Sequence, residues 1–135
     1  MVAKRFSALI LLFLLLACST DRIGADLIPL DIDFVWPVDQ KCFDPRSPAI
    51  TISGATEDVA MFRVRMMDLD NMHDHGGGTA ANDHSGTIAM GALTGYQGPC
   101  PTWGAPRYRI TVEGLDPAGV VIAMGRKTRR WPSED

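Results

Sequence analysis

Residues 59–68 read VAMFRVRMMD, and this stretch decides the fold. Phe62, Val64 and Met66 alternate with Arg63, Arg65 and Met67. A side-chain period of two is that of a pleated strand with one buried face, and a helical period of 3.6 does not produce it. The same alternation recurs to either side. Leu30, Ile32, Phe34 and Trp36 alternate with Asp31 and Asp33, and Pro37 ends the run. Residues 49–53, AITIS, form a second short strand, followed by a turn at GATED. Residues 107–113 put Tyr108, Ile110 and Val112 inward and Arg107, Arg109 and Thr111 outward. After a turn at LDPAGV comes the last strand, residues 120–130. Its opposite faces carry Val120, Ile122 and Met124 against Val121, Ala123 and Gly125, so its first half suits burial on both sides. Residues 71–85, NMHDHGGGTAANDHS, contain three consecutive glycines and predict irregular chain. Residues 87–93 suit a weak strand or a helical turn. No segment after residue 18 sustains a helical period over ten residues. Short strands separated by turns predict an all-β, antiparallel-rich β-sandwich with little helix.

The N-terminus is of a different kind. Lys4 and Arg5 precede ALILLFLLLA, residues 8–17, an apolar run of ten. That is too short for a helix across the ~30 Å hydrocarbon core and suits the h-region of a secretory signal. Leu15-Leu16-Ala17-Cys18 has the form of a bacterial lipobox, in which the Cys18 thiol is acylated and cleavage leaves it first in the chain. A plain signal peptide with a chance cysteine is the alternative. The lipobox predicts a signal peptide over 1–17, a tether over 18–28 and one domain over 29–135, held by lipid on the membrane of a bacterial envelope and facing the periplasm or the exterior. Ser19 after the cysteine favours the outer membrane where the source has two. Without residues 1–17 the chain keeps 11 basic against 16 acidic residues, a formal charge of −5. That balance argues against a nucleic-acid partner.

Three cysteines less the lipidated one leave Cys42 and Cys100. An even remainder in an oxidising compartment suggests a disulfide, two separate buried thiols being the other possibility. Cys100 lies in Gly98-Pro99-Cys100-Pro101, where the two prolines fix φ and remove two donors.

SPAITISGATEDVAMFRVRMMDLD (47–70) followed by GYQGPCPTWGAPRYRITVEGLD (95–116) resembles the phosphatidylethanolamine-binding protein family, in its bacterial Raf-kinase-inhibitor-like branch. Ser47-Pro48, Asp68-Leu69-Asp70, Gly98-Pro99-Cys100-Pro101 and Arg107-Tyr108 stand in the order of that family's elements, over residues 42–116. Here only 27 residues separate Asp70 from Gly98, Pro106 stands where the family has a pocket histidine, and the family's C-terminal helix is missing, so the chain resembles a reduced relative. The resemblance implies a β-sandwich with an anion-binding pocket at one end, the Asp-x-Asp turn and a following histidine at its mouth.

On that basis Asp68, Asp70, His75, Gly98, Pro99 and Tyr108 are the candidate ligand-binding residues. Asp68-Leu69-Asp70-Asn71-Met72-His73-Asp74-His75 leads into Gly76–Gly78, whose N–H groups could form an anion nest. Three readings of this cluster stay open: a solvated loop with turn-capping aspartates, a small-anion pocket, and a metal site. The spacing fits neither a dedicated zinc motif nor an EF-hand. Trp103 and Tyr96 suit an aromatic plug at the sandwich end or a ligand wall. The basic run GRKTRRW, 125–131, suits the exposed side of an edge strand or contact with anionic headgroups. No nucleophile with a base is identifiable, and no cofactor or metal is implied. The expectation is a non-enzymatic, lipid-anchored binder of a small anionic or headgroup-like ligand. Its alternatives are a structural or interaction lipoprotein with an immunoglobulin- or fibronectin-like sandwich and no pocket, and a metal-assisted hydrolase.

Overall fold

The computed structural model describes residues 26–132; Cys18 and the signal segment lie outside the described residues. Nine strands and no helix occur within them: β1 (Ile28–Pro29), β2 (Asp31–Phe34), β3 (Ile50–Ser53), β4 (Met61–Asp68), β5 (Asp74–Ala81), β6 (Thr87–Ile88), β7 (Gly95–Tyr96), β8 (Arg107–Leu115) and β9 (Val121–Arg130). They form a six-stranded sheet in the order β1-β9-β8-β4-β5-β7 and a three-stranded sheet in the order β2-β3-β6. All pairings are antiparallel except β1 with β9.

The period-two pattern sets which side of each sheet is apolar. Phe62, Val64 and Met66 of β4, and Tyr108, Ile110 and Val112 of β8, are buried against Ile32 and Phe34 of β2 and Ile50 and Ile52 of β3. Two sheets meeting through such faces constitute a sandwich, and removal of these side chains from water is its main source of stability. Ile28, assigned to the tether by sequence, already pairs with Ala123 in β1. The chain then crosses between sheets, with the Leu30 N–H bonding the Met124 carbonyl at 2.9 Å before β2 begins. On β9, Ala123 and Gly125 are buried, while Val121, Ile122 and Met124 are half-buried.

The expectation for residues 71–85 is overturned. Asp74–Ala81 is strand β5, paired along β4 from Met61↔Ala81 to Arg65↔Gly77, with an irregularity between Arg65 and Met67. The glycines mark close approach of backbones. A Cβ at Gly77 would run into the Val64 carbonyl oxygen, and one at Gly76, whose φ is +72°, into the carbonyl of Gly95. A run that locally signals loop is therefore a strand squeezed between two neighbours.

Candidate functional site

At the end of the six-stranded sheet where β4 stops and β8 starts lies a cavity of about 600 Å³. Asp68, His75 and Tyr108 reach it from three strands. Asp68 pairs directly with Tyr108 across β4 and β8, and His75 lies on β5 beside them. Residues 100–106 form one wall, with Phe43, Asp70, Asn71, His73 and Arg130 around the mouth.

Tyr108 is only 1% exposed and His75 4%. Their rings meet edge to face at 5.4 Å. That contact continues inward to Trp36, 5.8 Å from Tyr108, and Phe34, 5.0 Å from Trp36, and outward to His73, 4.7 Å from His75. A ladder of rings thus runs from the core to the mouth. Edge-to-face packing sets each positive ring edge against a negative face and holds the rings in place. His75 Nδ1 lies 3.0 Å from the Gln97 carbonyl. A carbonyl only accepts, so Nδ1 carries the proton and Nε2 is left as the ring's acceptor. Burial holds the His75 pKa below the usual histidine value, His73 adding to the effect, so the ring is neutral at neutral pH. The Tyr108 phenol is pushed up to about 12, first by burial and then by the Asp68 carboxylate, and stays protonated as a donor.

The two aspartates differ in role. Asp68 is buried, and its Oδ1 accepts the N–H groups of Asp70 at 2.8 Å and Asn71 at 3.2 Å. It is a turn cap set beside the cavity floor. Asp70 is held by Arg107: Oδ1 accepts from Nη2 at 2.7 Å and Nε at 3.1 Å, and Oδ2 from the Arg107 N–H at 2.7 Å. Those bonds keep its carboxyl below the usual range and pin the β4–β5 turn to the start of β8. Its charge is answered within the protein.

Gly98 and Pro99 do not line the cavity. They pack behind its wall, where the Gly98 N–H bonds the Asp44 carbonyl at 2.8 Å. A Cβ on Gly98 would stand 3.0 Å from Asp44 O and 3.1 Å from Asp44 N, and would collide with the Gln40 amide. The next residues, Cys100 and Pro101, do face the cavity. Cys42 and Cys100 lie at disulfide distance, their Cα atoms 4.4 Å apart. The stiff loop is thus fastened behind to residues 40–44 while its front forms the wall. Trp103 is 84% exposed at the mouth and plugs nothing; Tyr96, 5% exposed, is part of the hydrophobic core and does not line the cavity.

Phe43 belongs to the site although the sequence did not point to it, and Arg130 belongs to it although the basic run 125–131 was read as an edge or a headgroup contact and not as part of this cavity. Arg130 ends β9, and one of its guanidinium nitrogens donates to the Ala105 carbonyl at 2.8 Å. It pairs with no carboxylate among the described residues. Neither residue has a local signal beyond a basic edge or a loop. Among the described residues no group of three or more His, Cys, Asp or Glu side chains is arranged to hold a metal ion.

The fold and site define an all-β, two-sheet protein with a cavity at one end, floored by aromatic rings and edged by a few polar side chains. No family model matches the chain, and no curated protein matches it.

Proposed function

We propose that this is a lipid-anchored envelope protein that binds a small phosphorylated or headgroup-like molecule in the end cavity, without enzymatic action. The supporting observation is convergence: Asp68, His75, Tyr108 and Arg130, from four strands, surround about 600 Å³ closed on one side by residues 100–106. That volume is in the ordinary range for small-molecule sites. Arg130 offers an unpaired cation for a phosphate oxygen, Tyr108 a phenol donor, and the Asp68 carboxylate a counter-charge for a headgroup amine. Preorganisation by two prolines and the Cys42 link limits the entropy lost on binding. The resemblance to the phosphatidylethanolamine-binding proteins points to the same class of ligand.

Thermal-shift titration with phosphoethanolamine, glycerol phosphate and inorganic phosphate tests the ligand. At least one should raise the melting temperature. Tyr108→Phe should then weaken it by about 1 kcal/mol, roughly fivefold in Kd, and His75→Ala by at least as much. No shift with any of the three, or unchanged affinity in both variants, would leave the end cavity as scaffold in a structural lipoprotein. The anchor is read separately: Cys18→Ser should move the protein out of the membrane fraction and abolish fatty-acid labelling.

A further inference from the structure

The outer face of the six-stranded sheet takes no part in the cavity. Because Phe62, Val64, Met66, Ile110 and Val112 point into the core, their neighbours point outward. The register sets Arg63 beside Glu113 and Met124, Arg65 beside Thr111 and Arg126, and Met67 beside Arg109 and Thr128. Arg63, Arg65, Arg109 and Arg126 thereby line one shallow groove of about 200 Å³. Two carboxylates answer them, Glu113 on Arg63 and Asp74 on Arg65. Arg109 and Arg126 pair with no carboxylate among the described residues, and Arg109 Nε is buried without a hydrogen-bond partner.

The opposite face of the sandwich has the reverse character. β2, β3 and β6 contain no lysine or arginine, and turn Asp31, Thr51, Ser53 and Thr87 to solvent. Lys127 and Arg129 of β9 are answered by Asp33 of β2, while Arg109 and Arg126 leave uncompensated positive charge on the outside of the six-stranded sheet. Such polarity orients a protein on a negative surface even when its net charge is negative.

The place where the chain joins the domain brings this surface within reach of the anchor. β1 pairs with β9 at Ala123 and Met124, directly before Arg126, at the edge of this same sheet. Only residues 19–25 separate Cys18 from Asp26, the first described residue, and the eight Cα steps between them reach at most about 28 Å. A lipid on Cys18 would hold this sheet within that distance of a bilayer. We propose that the outer face of the six-stranded sheet lies against an anionic leaflet, with Arg109 and Arg126 supplying the uncompensated charge; the inference rests on lipid anchoring at Cys18. Planar guanidinium groups match phosphate oxygens in pairs. The anchor makes the contact intramolecular, so a weak electrostatic attraction suffices to set orientation.

The test uses the protein produced with its own N-terminal segment and reconstituted with vesicles of phosphatidylcholine, or of phosphatidylcholine with phosphatidylglycerol. Arginine labelling by phenylglyoxal is followed residue by residue. Arg63 and Arg65 should react about fivefold more slowly on the anionic vesicles, with Arg46, away from this face, unchanged. The protection should vanish at about 0.5 M salt, where the Debye length falls to about 4 Å. It should also vanish in Arg109→Gln/Arg126→Gln, and persist in Asp31→Asn on the opposite face. Equal labelling on the two vesicles overturns the proposal, as does equal protection by soluble polyphosphate, which would make a polymer the partner. Flotation with neutral vesicles reports the anchor by itself. A protein that fails to float there but shows salt-sensitive protection of Arg63 and Arg65 on anionic vesicles lacks the anchor and keeps the face.

Discussion

Gly98 is a glycine because of its neighbours in the fold. Its N–H is bonded to Asp44, and the backbone of Asp44 and the Gln40 amide fill the space a Cβ would need. Gly98→Ala should therefore lower stability by about 1–3 kcal/mol, the usual cost of overpacking, while leaving the affinity of the folded fraction unchanged. Urea unfolding and ligand titration of the same variant separate the two; full stability with lost binding would return Gly98 to the site. Asp70 teaches the same lesson. Its place at the cavity mouth was an expectation taken from the family resemblance of the Asp-Leu-Asp turn, whereas its engagement by Arg107 could not be read at all, because Arg107 lies 37 positions away. His75 and Tyr108 were legible as types and positions. Their shared ring contact was not, since it depends on how β5 and β8 flank β4.

At the level of elements, the alternating runs 30–36, 49–53, 59–68 and 107–113 were read correctly because a period of two is a local property of the chain. β5 escaped the same reading. Glycine lacks the side chain that carries the alternation, and its composition signals loops, so the strand is specified by what presses on it. Gly77→Ala, placing a methyl against the Val64 carbonyl, should force β5 away from β4. The expected loss is about 1–3 kcal/mol, with amide-exchange protection falling in β5 and in β7, which pairs with it at Gly76 and Gly77. Unchanged protection in both strands would show that the β4–β5 spacing yields freely.

Over the whole molecule, the Cys42–Cys100 link joins the loop before β3 to the loop before β8 across a separation of 58 residues. In the chain-entropy account, closing a loop of that length in the unfolded state is worth about 4 kcal/mol. For a domain of this size that is a large share of a typical net stability. Cys42→Ser/Cys100→Ser should lower the unfolding free energy by about that amount and loosen the wall formed by residues 100–106. Denaturant midpoints of the oxidised protein and the double variant measure the first effect, and ligand affinity the second. Matching midpoints would mean that the loops are held by the Gly98–Asp44 bond and packing alone.

Local pattern was enough to determine the all-β class and the buried side of each alternating strand, because periodicity and turn chemistry are written along the chain; the polar cluster was singled out through a family resemblance. The tertiary structure decided that the glycine run is a strand, that Gly98 and Pro99 stand behind the wall while Cys100 and Pro101 face the cavity, and that Arg130 closes its mouth. Each of those depends on register and spacing between segments far apart in sequence, where a hydrogen bond or a missing Cβ has meaning only once its neighbour is in place.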